Sequence, residues 1–462
     1  MILRFPKYPG FLVFTLFLGL VMLGEGRAQT IEDALTAAYL NNPTLLGQRA
    51  KLRATDEQVP QALSNWRPSV EITGSAGARG LNNSIATGTN RGQHRDPRSV
   101  SLALSQSLYR GGRTLAATRG AENTVKAERH RLLATEQNVL LDAATSFLNV
   151  FRDEAVLKLN INNEQVLKRQ LEATRDRFEV GEITRTDVHQ AEARVAGAAA
   201  DRIEAVGNLE ASRAAYRNVV GKIAPRNLKT PASLSVQPSN QDEANKAASR
   251  DNPTLLATEF DEKALSDNVD LVRGELLPEL SLDGELSRKL QSSAETGRID
   301  SAEITLNMTM PLYQQGEVYS RLREAKQGLA EQIQVVDQAR RDAIEKATSA
   351  WEALVTARAR VTSFKAQIDA NVVALEGVQR EAQVGSRTVL DVLDAEQELL
   401  DSRVSHVRAQ RDELVAVFQV KEAIGALTVK NTKLRVTPYD PAKNYTRVRN
   451  KWFGASSSDE GK

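Results

Sequence analysis

The sequence predicts a mainly α-helical chain with a small β part, built as two tandem structural repeats, in which four strands cross a membrane and the helices reach far beyond it. Three observations carry this reading. The run Val180-Gly181-Glu182-Ile183-Thr184-Arg185-Thr186-Asp187-Val188 recurs as Val384-Gly385-Ser386-Arg387-Thr388-Val389-Leu390-Asp391-Val392, and both copies continue into Ala-Glu. Four segments alternate apolar and polar residues over about ten positions, the length and pattern of a strand in a membrane barrel. Two helical patterns of about 68 residues contain no proline, and at 1.5 Å per residue each extends about 100 Å. Helices that long point to coiled coils.

Residues 1–28 read as a cleavable secretory signal. Arg4 and Lys7 precede the apolar stretch from Phe11 to Leu23, and Gly26-Arg27-Ala28 supplies small residues at a cleavage site. Removing this segment takes away Arg4, Lys7, Glu25 and Arg27, so a chain of formal charge +2 becomes neutral. A neutral balance offers no electrostatic case for nucleic acid as a partner. With no cysteine there is no disulfide, no thiolate metal site and no N-terminal lipid anchor. His94, His130, His189 and His406 show no metal-ligand spacing.

The first repeat spans 29–220. Thr30, Glu32 and Asp33 start a helix whose apolar stripe is Ile31, Leu35, Ala38 and Tyr39. Asn41-Asn42-Pro43 breaks it, and a second helix is expected from about Thr44 to Asn65. The same break returns at Asp251-Asn252-Pro253. A β-hairpin follows over 68–109. Val70, Ile72 and Gly74 share one face, as do Val100, Leu102, Leu104 and Leu108, and the Gly/Asn/Ser-rich residues 80–98 between them read as an exposed loop. The long helix then leads to a tip at 180–187 and a returning helix to Val220. Residues 221–245, with Pro225, Pro231 and Pro238, read as a linker. The second repeat covers 246–428, with its hairpin at 278–313, its alternation running to Leu312, and its tip at 384–391. Residues 429–462 read as an irregular segment ending in a disordered tail. Half-buried soluble sheets alternate in the same way. Charges on the polar faces (Glu71, Arg79, Asp283, Glu285, Glu303) instead fit a wet lumen, and turn-rich hairpin ends of unequal length, the first longer by 6 residues, fit solvent-exposed loops.

Four strands cannot close a membrane barrel, and open edges in lipid would leave backbone groups without partners. At least two chains must therefore share one barrel, and three would supply 12 strands. With its duplicated hairpin, its Asn-Pro breaks, Tyr109-Arg110-Gly111-Gly112 and Tyr313-Gln314-Gln315-Gly316 leading into the long helices, and Gly385-Ser386-Arg387-Thr388 followed by Asp391-Val392-Leu393-Asp394, nearly the whole chain resembles the TolC-type outer-membrane channels of tripartite efflux pumps and type I secretion systems. The tail, with Tyr439-Asp440-Pro441 and Val448-Arg449-Asn450-Lys451-Trp452-Phe453-Gly454, is similar to the version common in α-proteobacteria.

The resemblance implies a homotrimer in the outer membrane, a 12-stranded barrel continuing into a periplasmic α-barrel nearly closed at its far end. Its partners would be a periplasmic adaptor (a membrane fusion protein), an inner-membrane pump of the RND or ABC type, and outer-membrane lipid. It implies no cofactor and no enzymatic activity. No catalytic constellation is evident, and Gly77-Ala78-Arg79-Gly80 lacks the Lys-Ser pair and helix start of a phosphate loop. The resemblance puts Asp391 and Asp394 at the pore constriction. Their spacing alone also suits a solvated helix face or first-turn acids. It pairs Asp187 with Arg387 in a network that closes the tip. The family's tyrosine in that network is replaced by Ala382, and an exposed pair of no consequence is the alternative. It places adaptor docking at Val180, Gly181, Val384 and Gly385, although a plain helix cap explains the glycines equally well. A stand-alone porin and a non-conducting coiled-coil spacer are the competing functions.

Overall fold

The computed structural model describes residues 30–82, 92–225, 228, 238–292 and 296–456. The signal segment, the tip of the first hairpin, most of the stretch from 226 to 237, residues 293–295 and the last six residues lie outside them.

Each repeat opens with a helical corner made by Asn-Pro. Helix α1 (Ile31–Asn41) starts with a capping box between Thr30 and Asp33 and ends at Asn42. The Asn42 side chain accepts from the Thr44 and Leu45 amides and so caps α2 (Pro43–Asp56), with proline at the position that needs no N–H. Its amide nitrogen then donates to the Val219 carbonyl at 3.0 Å, at the end of the returning helix. The second repeat copies this. Asn252 ends α6 (Gln241–Asp251), caps α7 (Pro253–Gly274) and donates to the Ala423 carbonyl at 3.1 Å. One side chain thus sets the corner and ties it to the far end of its own repeat.

The strands are β1 (Ser69–Ala76), β2 (Arg79–Asn82), β3 (Gly92–Arg95), β4 (Arg98–Arg110), β5 (Glu279–Leu290) and β6 (Arg298–Thr309). Four of them form one antiparallel sheet in the order β1-β4-β5-β6. The hairpins of the two repeats meet at β4 and β5, and β1 and β6 are left as open edges. Register places Ile72, Leu102, Leu286 and Ala302 side by side on one face, and Val70, Leu104, Gly284 and Ile304 in the next row. In the single chain this apolar face is bare: Ile72 is 74% exposed and Ile304 82%. The other face is polar, with Thr73–Ser101 and Ser287–Ser301 hydroxyl pairs at 2.7 Å. Among the described residues no helix is long and apolar enough to cross a membrane.

Behind the sheet run α4 (Arg113–Glu179) and α8 (Glu317–Gln383), each of 67 residues. Their returning partners are α5 (Arg185–Val220) and α9 (Val389–Ala423). Helix α4 lies between α5 and α9, and α8 packs along α9. Where the repeats cross near the sheet, two backbones touch. A Cβ at Gly111 (φ +58°) would meet the Gly274 carbonyl oxygen at 2.2 Å, so only glycine fits.

The main core lies at the level of the helical corners, where Tyr39, Leu45, Leu52, Leu140, Phe147, Leu148 and Tyr216 are fully or almost fully buried. The C-terminal segment straps over it. The Tyr439 amide donates to the Tyr39 hydroxyl at 2.8 Å, and the Arg49 guanidinium lies over both rings. The Val429 amide donates to the Glu136 carboxylate, which burial holds above the usual range.

Several local expectations are corrected. The stretch 80–98 is not all loop, since β2 and β3 pair as a separate two-stranded ribbon. The helix expected from 44 to 65 is broken at Glu57 into α2 and α3 (Gln58–Ser64). Pro60 has no N–H for the Asp56 carbonyl, and its ring crowds that oxygen. The matching helix α7, without proline in its interior, is continuous. Strand β6 ends at Thr309, short of Leu312. Helix α6 begins at Gln241, inside the expected linker, because Asn240 caps the Glu243 amide at 2.8 Å. The C-terminal segment contains a short helix, α10 (Lys443–Val448).

Replacing Asn252 with Ala removes two cap bonds and leaves the buried Ala423 carbonyl without its donor. We expect a loss of about 1–3 kcal/mol, read as a lower thermal-unfolding midpoint in detergent. Gly111→Ala should be far worse, with no folded protein recovered.

Candidate functional site at the helical tips

The two tips are near copies. At the first, Val180 is the C-cap of α4 and Gly181 takes φ +83°; its amide donates to the Phe178 carbonyl and the Glu182 amide donates to the Arg177 carbonyl, both at 3.0 Å. At the second, Gly385 takes φ +82°, and the Ser386 amide donates to the Glu381 carbonyl at 3.0 Å. These are left-handed glycine caps, so the cap reading of Gly181 and Gly385 holds locally. Nothing lies within 4 Å of a Cβ built at either glycine, so both face open space. Val180 and Val384 are 72% and 80% exposed.

Each return helix then starts with a capping box. Asp187 Oδ2 accepts from the Thr184 amide at 2.9 Å and the Thr184 hydroxyl at 2.8 Å. Asp391 does the same for Thr388, with both distances 2.8 Å. The Thr388 amide and hydroxyl, helped by Arg387, hold the Asp391 carboxyl below the usual carboxylate range.

Asp187 and Arg387 do not meet within one chain. Arg387 donates to Glu381 at 3.0 Å and lies 3.9 Å from Asp391. Arg177 and Glu182 form the matching pair at the first tip, at 3.0 Å. The local geometry explains this: a Schellman turn brings the last helical turn next to the loop, so partners five or six residues away are reached first.

Asp394 has a partner that no sequence pattern indicated. Arg194, on α5 of the first repeat, donates to it from across the groove between the return helices. Spacing along the chain could not have shown this, since the two residues belong to different repeats. Beside the pair runs an apolar seam. Leu167 and Leu171 of α4, Val188, Ala191 and Ala198 of α5, and Val389 and Leu393 of α9 bury against one another. Ala382, where the resemblance implies a tyrosine, is buried too. No cluster of carboxylates and histidines that could hold a metal is present among the described residues.

Farther along, the polar face of the sheet sets Glu71, Glu285 and Glu303 at one level across β1, β5 and β6, with Ala103 between them on β4. The sheet thus carries a level of glutamates of its own, separate from the aspartates at the tips.

Comparison with known proteins agrees with this architecture. The model for the family described as outer membrane efflux protein matches residues 34–222 and again 245–426, one match for each repeat. The chain belongs to the outer membrane efflux protein family. It is 35% identical over 449 residues to the outer membrane efflux protein BepC of Brucella suis, covering 96% of this chain and 95% of that one. Against the outer membrane protein TolC of Vibrio cholerae it is 27% identical, covering 87% and 92%. A solved structure of the Campylobacter jejuni CmeC outer membrane channel superposes with a TM-score of 0.78 at 17% identity, covering 91% of this chain and 89% of that one. As a member of the family, the protein is an outer-membrane efflux or secretion channel with a periplasmic helical extension, and it is not an enzyme. Family members form trimers and work with adaptors and inner-membrane pumps.

Because the Asp391 carboxyl is depressed in the folded tip, its contribution is present above the unfolded carboxylate value and is lost as pH falls through the folded one. Amide exchange at Thr388 and Asp391 should therefore be slow at neutral pH and accelerate below about pH 4 relative to a mid-helix reference. Asp391→Ala should show the fast rate at every pH, after correction for intrinsic exchange.

Proposed function

We propose that three copies of this chain form a passive conduit that takes cargo from an inner-membrane pump, through a periplasmic adaptor, to the cell exterior. The observation that carries this reading is the sheet: four strands with a bare apolar face and two open edges, joined to helices of 67 residues. In lipid, β1 of one chain needs β6 of another, because backbone groups there have no water to turn to. Three copies would supply 12 strands, above the eight of the smallest bacterial barrels. The helices then continue the tube well past the membrane. The pump is of the RND or ABC class.

In this reading the tips are the gate. Asp391 and Asp394 approach the axis and set a preference for cations by their field. Asp187 and Arg387, each held by a local partner within its own chain, contribute to closure where neighbouring coils meet. The adaptor docks at the rim around Val180, Gly181, Val384 and Gly385, whose open surroundings leave room for a partner helix.

Single-channel recording of the purified protein in a planar bilayer tests the conduit. A small, cation-preferring conductance is expected, with the preference weakened in Asp391→Ala/Asp394→Ala and the conductance raised in Arg387→Ser. A large conductance indifferent to these changes would indicate a self-sufficient porin. None at all, with extraction by salt alone, would indicate a coiled-coil spacer.

Docking is tested separately with Gly181→Arg and Gly385→Arg. Loss of adaptor co-purification with the oligomer retained is the expected result. Retained co-purification would remove docking from this rim.

A further inference from the structure

We propose that Arg194 is a selectivity-determining and gate-closing residue. It neutralises Asp394 and ties the return helix of the first repeat to that of the second. This rests on the conduit reading above and deepens it.

Several observations converge on Arg194. It lies three residues after Ala191 and four before Ala198, so it shares their helix face, the one that packs into the apolar seam at the tips. Asp394 directly follows Leu393, the α9 side chain most deeply buried in that seam. The two charges are therefore presented to each other by packing that also orders their backbones. Next to them α5 and α9 part and leave a groove of about 620 Å³, with Ala193, Gly197 and Ala198 among its walls. The Arg194–Asp394 contact spans a place where the helices themselves do not close up. Among the described residues it is the one ion pair joining α5 to α9. Finally, the partners expected to latch the tip are engaged elsewhere within the chain: Asp187 caps α5 and Arg387 holds Glu381. The Ala382 side chain has no polar group to offer.

The consequence for charge is direct. Around the second tip stand Glu381, Asp391 and Asp394 against Arg387 and Arg194. Arg380, next to Glu381, pairs with Glu376 at 3.6 Å, so among the remaining groups three acids and two guanidiniums leave one net negative charge per chain. Asp391 and Asp394 both contribute to the field at the constriction, and the Arg194 guanidinium beside Asp394 reduces the share that Asp394 adds while using it as an anchor. Removing Arg194 should do two separable things: expose the Asp394 charge to the pore, and release α5 from α9.

The experiment is a small set of variants in planar bilayers. Arg194→Gln should raise the cation-over-anion permeability ratio about twofold or more, through the added ring charge, and should raise conductance as well. In Arg194→Gln/Asp394→Asn the permeability ratio should fall back while conductance stays high, because the charge is gone and the tie is still missing. The swap Arg194→Asp/Asp394→Arg should return both quantities toward the unsubstituted channel. An Arg194→Gln channel unchanged in both, or a swap that behaves like the single substitutions, would overturn the proposal.

Proximity can be read without any current. The chain has no cysteine, so Arg194→Cys/Asp394→Cys treated with a short bifunctional thiol reagent should yield one linked peptide pair by mass spectrometry. Its absence, with both thiols shown to be reactive, also overturns the pairing. If the unsubstituted protein fails to conduct but the link forms, the conduit reading fails and the pairing stands.

Discussion

Backbone groups in hydrocarbon must find partners in protein, and this chain has two strands whose outer edges find none within it. That constraint organises the rest. A sheet of four strands with one bare apolar face is stable only when the β1 edge is met by a β6 edge, which a single copy cannot supply. The polar face, with its hydroxyl pairs and its level of glutamates, is then the inner wall of whatever the strands enclose. Because the hairpins come from different repeats and meet at β4 and β5, neither repeat alone supplies the four-stranded sheet.

The long helices need a different kind of support, since helices of 67 residues cannot be wrapped by a compact core. The corners provide it. Asn42 and Asn252 each spend the acceptor oxygen on a cap and the donor nitrogen on the end of the return helix, so both ends of a repeat are held at one level. The C-terminal strap over Tyr39 and Arg49 holds the same region, and the contact between Gly111 and Gly274 fixes the other end of α7, beside the sheet. The largest apolar core sits at these corners. Toward the tips the core thins to a seam of valine, leucine and alanine flanked by exposed ion pairs. Such pairs are individually weak, about 0–1 kcal/mol. Segments that move are drawn from such low-stability regions, which suits the gate proposed at the tips.

Much of the architecture was legible because it is written in local periods. Alternation of two marks the strands, long proline-free stretches mark α4 and α8, and Val-Gly followed by a threonine and an aspartate marks each tip. The break before Pro60 was missed, because the stripe around it reads as one helix while the ring's clash with the preceding turn interrupts it. The Asn240 cap is a similar case: the polar run around it looks like linker until the bond to the Glu243 amide is seen. The β2–β3 ribbon, in a segment rich in glycine and asparagine, has no apolar alternation to announce it.

By itself the sequence determined the kind of object this is: two repeats, four membrane strands, two coiled-coil hairpins with glycine-capped tips. Each of these depends on residues within a few positions of one another, where backbone geometry dictates the outcome. Only the tertiary structure decided which charges face which. Asp187 and Arg387 turned to partners in their own loops, because a Schellman turn and a capping box bring those within reach first. Asp394 met Arg194 of the other repeat because the seam of Ala191, Ala198 and Leu393 sets α5 against α9. Side chains from separate repeats share no period, so only helix packing can bring them together.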